Sequence, residues 1–93
     1  MKLTEKDIEI LKEYGNLDED VPQLREAAQV AKYTLYPRQD GDEGEEIGER
    51  KAIKLLGRKC WLSGISRAAF HCTSCRETTD KRYILFDCSA IWR

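Results

Sequence analysis

Residues 70–77 read FHCTSCRE, and these eight positions hold the only histidine and two of the four cysteines in the chain. Half of a metal site, a redox motif and the end of an ordinary helix are the three readings to separate, because each implies a different fold around it. A zinc site takes four ligands. Cys72-x-x-Cys75 supplies one correctly spaced pair, which His71, Cys60 or Cys88 would have to complete. Two such pairs would be a strong signal; with one, zinc is the lesser alternative and no cofactor is expected. A working redox Cys-x-x-Cys places its nucleophile at a helix N-terminus, where the dipole favours the thiolate. Here the pair falls near the end of a helical pattern, close to Glu77, with no βαβ pattern before it. His71 and Cys72 are adjacent, so on a helix they point about 100° apart and do not make a nucleophile–base pair. The stretch therefore reads as the C-terminal turn of a packed helix, with its cysteines as small hydrophobes.

Working back from it, this helix starts at about Arg58 or Lys59 and runs to about Cys75. Trp61, Leu62, Ile65, Ala69 and Cys72 share one face at helical spacing, while Ser63, Ser66, Arg67, Phe70 and Ser74 share another. Gly64 in its middle costs about 1 kcal/mol relative to alanine, which suggests a close approach to the backbone, most simply by another helix. Before it, "RKAIKLLG" forms a short helix with Ala52, Ile53 and Leu56 inward, closed by Gly57. Forward from it, "ETTDKR" turns the chain into "RYILFDCSAIW". That segment is a strand with Ile84, Phe86 and Cys88 toward the core and Tyr83, Leu85 and Asp87 opposite.

The N-terminal half opens with Thr4 as N-cap and Asp7 at the reciprocal capping position, with Leu3 and Ile8 as a hydrophobic staple. Ile8, Leu11 and Tyr14 continue the stripe to a stop at Gly15. A second helix follows Asp18 or Asp20, with Asp20 and Gln23 fitting a capping box and Leu24, Ala27, Ala28 and Ala31 forming a small-residue face. "KYTLY" then alternates Tyr33 and Leu35 against Thr34 and Tyr36. The acidic loop around Asp40-Gly41 leads to a short returning strand near Ile47. The expected fold is α+β, about four helices with a small antiparallel sheet of two to three strands. It is a single domain over 1–93: a helical pair at 1–31, a hairpin or arm at 32–48, a helix-turn-helix-like pair at 50–76 and a C-terminal strand at 82–92.

Composition narrows the function classes. The net charge of −1 conceals a split, with seven Lys and Arg against fourteen Asp and Glu in residues 1–50 and nine against three in residues 51–93. Such a split means either ion pairing between the halves or a basic surface that meets an anion. No apolar stretch approaches the roughly 20 residues of a membrane span. "MKLTEKDIEILKEYG" lacks the apolar region of an export signal, so a reducing, cytoplasmic setting is expected. Phosphate loops, paired-carboxylate motifs and nucleophile elbows are absent from the sequence, which points away from an enzyme.

For nucleic acid or another anion, the candidate contacts are Arg58, Lys59, Ser63, Ser66, Arg67, Arg76, Lys81 and Arg82, on or beside the second helix of the helix-turn-helix-like pair. Ala52 to Gly57 is one residue too long for the usual motif, and a pI of about 5.9 opposes tight duplex binding. Tyr36, Phe70 and Trp92 are candidate aromatic anchors for a protein partner. The stretches "LTEKDIEILKEYG", "KAIKLLGRKCWLSGISRAAFH" and "ILFDCSAIW" resemble short uncharacterised proteins of bacteriophages and integrated elements in gut bacteria. That resemblance implies a phage-type accessory protein that modulates transcription or blunts host defence, and it assigns no activity and no site residues. The expected function is a small non-enzymatic protein that binds a host protein or a small anionic ligand. Nucleic-acid binding is the alternative, and association with a second copy of the chain is left open.

Overall fold

The helix that carries FHCTSCRE stops earlier than its sequence pattern suggests. In a computed structural model, which describes residues 3–15, 22–37 and 43–92, Cys72 turns to φ 68° and ψ −39°, and the chain passes at once into a strand. Thr73–Glu77 is that strand rather than a last helical turn, so the helical expectation to Cys75 is corrected. Positive φ is uncommon for a residue with a Cβ. It is accommodated here because the Cys72 carbonyl accepts the Cys88 N–H at 2.7 Å, extending the adjoining ladder by one step.

In chain order the elements are α1 (Glu5–Gly15), α2 (Pro22–Val30), β1 (Lys32–Tyr36), β2 (Glu45–Ile47), α3 (Glu49–Leu56), α4 (Arg58–His71), β3 (Thr73–Glu77) and β4 (Tyr83–Asp87), followed by a 3₁₀ turn at Ser89–Trp92. The four strands make one antiparallel sheet in the order β2-β1-β4-β3, one strand or more beyond the two to three expected. Strand β3 escaped the sequence reading because its one buried residue is polar. Ser74 points toward α4 and donates a hydrogen bond to the Gly64 carbonyl at 2.8 Å, so the burial is satisfied.

All four helices lie on one face of this sheet, where Tyr33, Leu35, Ile47, Ile84 and Phe86 point inward and are buried. From α4, Trp61, Leu62, Ile65, Ala68 and Ala69 meet them, and Ala52 and Leu56 of α3 complete that side of the core. Gly64 serves helix-on-sheet rather than helix-on-helix packing: a Cβ there would stand 2.4 Å from Cζ of Phe86. The Phe86 ring in turn meets the Tyr33 ring edge-on, with centroids 5.2 Å apart, and the Tyr33 hydroxyl accepts the Trp61 indole N–H at 3.0 Å. Burial raises the Tyr33 phenol far above its ordinary value, so it stays a neutral partner for the indole.

The N-terminal signals are realised as read. The Thr4 N–H donates to Asp7 Oδ2 at 3.0 Å, the Asp7 N–H to Thr4 Oγ1 at 3.2 Å, and Leu3 and Ile8 are both buried. Asp7 also accepts hydrogen bonds from both Nε and Nη2 of Arg58, an ion pair that joins α1 to the start of α4 and links the acidic half of the chain to the basic half. Asp18, Asp20 and the Asp40-Gly41 turn lie outside the described residues. The Gln23 side-chain amide donates to the Ala69 carbonyl at 2.8 Å and satisfies one of the open carbonyls in the last turn of α4.

Candidate interaction surface

The break at Cys72 parts the Cys72-x-x-Cys75 pair. Three residues of extended chain separate the Cα atoms of Cys72 and Cys75 by roughly 10 Å, beyond the ~7 Å at which two cysteines can be bridged. Cys75 is exposed on the sheet face away from the helices, Cys88 is buried, and Cys60 and Cys72 are half-buried. His71 is exposed as the last residue of α4. Among the described residues no three His, Cys, Asp or Glu side chains are grouped to hold a metal ion.

The predicted anion contacts are likewise divided. Arg58 is held by Asp7 and lies over the Trp61 ring at 5.1 Å. Lys81 pairs with Glu77 at 3.4 Å and Arg82 with Asp80 at 2.6 Å. The Arg82 guanidinium and the Thr78 hydroxyl hold the Asp80 carboxyl well below its ordinary value. Arg76 donates to Ser63 Oγ at 3.1 Å and to the Cys75 carbonyl at 2.9 Å, so its guanidinium covers the outer edge of β3. Lys59 and Arg67 remain exposed on one stripe of α4 with half-buried Ser63 and Ser66. The structure thus brings Lys59, Ser63, Ser66, Arg67 and Arg76 to one side and sets Arg58, Lys81 and Arg82 against carboxylates.

Of the predicted aromatic anchors, Phe70 sits on α4, Trp92 on the 3₁₀ turn that follows β4, and Tyr36 at the other end of the β1–β4 ladder, beside the start of β4. Tyr36 has a different companion. The β1–β4 register sets it directly opposite Tyr83, and the two are 36% and 40% exposed. Tyr83 is not among the sequence-based candidates, although alternation along β4 turns it away from the core.

This pair belongs to the sheet face that, among the described residues, carries no helix. Its next row runs Glu46, Thr34, Leu85, Cys75 across the four strands, and the far row runs Lys32, Asp87, Thr73. Three carboxylates (Glu46, Glu77, Asp87) therefore share this face with two ammonium groups, Lys32 opposite Asp87 and Lys81, which pairs with Glu77 and acts on the Tyr83 phenol. Glu77, opposite Tyr83, raises the phenol above its ordinary value, while the Ser89 hydroxyl and N–H hold Asp87 below its own. Gly44 lies against Thr34 and Tyr36 so closely that a Cβ would come within 2.3 Å of Thr34 Cγ2 and 2.8 Å of the Tyr36 ring. The approach to β2 thus braces the Tyr36 ring at the corner of the face.

No helix among the described residues is long and apolar enough to cross a membrane. Comparison with known protein families, with curated proteins and with solved structures finds no match to this chain.

Proposed function

We propose that this chain is a small non-enzymatic binding protein and that the helix-free sheet face meets its partner, a protein. The observation that carries this reading is the exposed cross-strand pair Tyr36–Tyr83 with Leu85 beside it. Neither tyrosine contributes to the core, and paired aromatics on a rigid strand surface lose little conformational freedom on binding. With Glu46, Glu77 and Asp87 against Lys32 and Lys81, the charge of this face is not of the sign that attracts the phosphates of nucleic acid. In the phage-type setting that the sequence resemblance implies, such a partner would be a host protein bound stoichiometrically.

The test is capture of cross-linked partners from cells by the wild-type chain and by Tyr36→Ala and Tyr83→Ala. A protein retained by the wild type and lost from both variants, while both keep wild-type stability, is the expected result. A partner held equally by all three chains, or turnover of a substrate by this chain alone, would overturn it.

Nucleic-acid binding is a second reading, favoured by one observation: α4 contains no Asp or Glu, and its stripe of Lys59, Ser63, Ser66 and Arg67 is joined by Arg76. Three cations predict a weak complex whose log affinity falls with log salt at a slope of about −3. A mobility shift at low salt that Arg67→Ala weakens would support it, and no shift would remove it.

A further inference from the structure

We infer that Cys72 and Cys88, rather than the Cys72-x-x-Cys75 pair, form a thiol–disulfide exchange site that takes a small disulfide of the glutathione class. The inference is independent of the sheet-face reading. Thr73 and Asp87 are the last partners in the β3–β4 register, and Cys72 and Cys88 stand opposite each other one step beyond. The Cys88 N–H donates to the Cys72 carbonyl at 2.7 Å, so the backbones remain in ladder contact there. A hydrogen-bonded pair of an antiparallel ladder holds its Cα atoms roughly 5.5 Å apart, and the two thiols are near enough for Cys72 to act electrostatically on Cys88. That separation falls within the ~4.4–6.8 Å that a disulfide spans. No other pairing involving Cys72 competes. Cys75 is on the opposite face, and Cys60 lies twelve residues earlier on α4, about 18 Å along its axis.

The two thiols are unequal in access. Cys88 is fully buried, its Sγ 3.7 Å from the Ala27 carbonyl, whereas Cys72 is half-buried at the corner where α4 ends. Burial pushes the Cys88 thiol up to about 11, so it is protonated at neutral pH and does not react first. A cysteine at φ 68° also occupies a backbone conformation that glycine would adopt without steric cost, so this position keeps its side chain against local preference.

The chemistry is a two-step exchange. The Cys72 thiolate attacks one sulfur of the small disulfide, forming a mixed disulfide and releasing one thiolate, which takes up a proton. The Cys88 thiol then attacks the Cys72 sulfur, and the second small thiol departs with the proton that Cys88 gives up. In sum, two protein thiols are oxidised to one Cys72–Cys88 bond while one small disulfide is reduced to two thiols.

The experiment exposes the folded wild-type chain to oxidised glutathione, quenches it with acid and maps its peptides without reduction. The expected products are a Cys72–Cys88 linked peptide lacking two hydrogens and glutathione retained on the exposed Cys75. Cys88→Ser, or Cys88→Ala if the serine variant does not fold, is expected to hold glutathione on Cys72 instead. Closing this loop is expected to raise the melting midpoint by roughly 10 °C, reversed by reductant. Glutathione persisting on Cys72 while Cys88 is intact, or a bond from Cys72 to any other cysteine, overturns the inference.

Discussion

Replacing Gly64 by alanine sets helix propensity against packing, and the structure decides which prevails. A Cβ at this position would sit 2.4 Å from Phe86 Cζ and 2.7 Å from both Cε atoms. Carbon atoms in good contact are about 3.5–4.0 Å apart, so the overlap exceeds roughly 1 Å at the nearest of the three atoms. The ring has no free side to move into, because it is fully buried with Tyr33 edge-on against it. Overpacking of this kind costs about 1–3 kcal/mol, and three simultaneous overlaps place it at the upper end. Alanine returns about 1 kcal/mol of helix propensity, leaving a net loss of about 2 kcal/mol. For a domain of this length, whose whole stability is on the order of 5–14 kcal/mol, that is a large share. The melting midpoint should fall by roughly 10 °C, and the urea midpoint by about 1–2 M. Fluorescence of the buried Trp61 follows the transition. In Gly64→Ala/Phe86→Leu the smaller side chain relieves the overlap, so the double variant should exceed the additive stability by at least about 1 kcal/mol. Unchanged or increased stability in Gly64→Ala, or simple additivity in the pair, would refute the reasoning.

Burial alone would raise the Asp7 carboxyl from its ordinary 3.8, but the hydrogen bonds from Arg58 and from Thr4 and the Arg58 charge outweigh it and hold the group lower. A depressed folded value means the stabilisation is present above the unfolded value and is lost as pH falls through the folded one, below about 4. Asp7→Asn should cost about 1–3 kcal/mol at pH 7, under the range for fully buried pairs because Arg58 reaches solvent, and should flatten the acid limb of a urea-midpoint titration. Tyr33→Phe leaves the Trp61 indole N–H without its acceptor and should cost about 1–3 kcal/mol, read by thermal unfolding; a neutral result would mean the bond is dispensable. Arg76→Ala uncovers the Cys75 carbonyl on the outer edge of β3. It should leave stability within about 1 kcal/mol while introducing concentration-dependent association in sedimentation velocity, and a chain monomeric at every concentration would contradict that edge role.

Helix α1 and strands β1 and β4 are legible in the sequence because each carries its signal locally. Thr4, Asp7, Leu3 and Ile8 mark one boundary, and Tyr33/Leu35 and Ile84/Phe86 alternate with period two. Strand β3 is hidden for two physical reasons. Nothing marks the break at Cys72, since neither glycine nor proline stands there and the cysteine continues the apolar spacing of α4. The strand itself buries only Ser74, whose partner is a backbone carbonyl on another element. Gly64 signals a close approach without naming the approaching group, because Phe86 is distant in sequence. The candidate surface is half legible: Tyr36 stands out as an exposed aromatic, but its pairing with Tyr83 depends on the β1–β4 register. The cysteine spacing misleads, because Cys-x-x-Cys has meaning only if the chain between the two residues turns, and here it is extended.

The two strands at the middle of the sheet, β1 and β4, are paired over roughly fifty residues of intervening chain, so their meeting requires a long loop to close before either edge strand has a place to settle. Refolding should therefore be slower than for a helical bundle of this size, although α1 to α4 carry local signals. Damage to that central seam would lengthen the time the chain spends open, with Trp61 and Phe86 unshielded, and so raise the risk of clumping before any loss of equilibrium stability is large enough to notice.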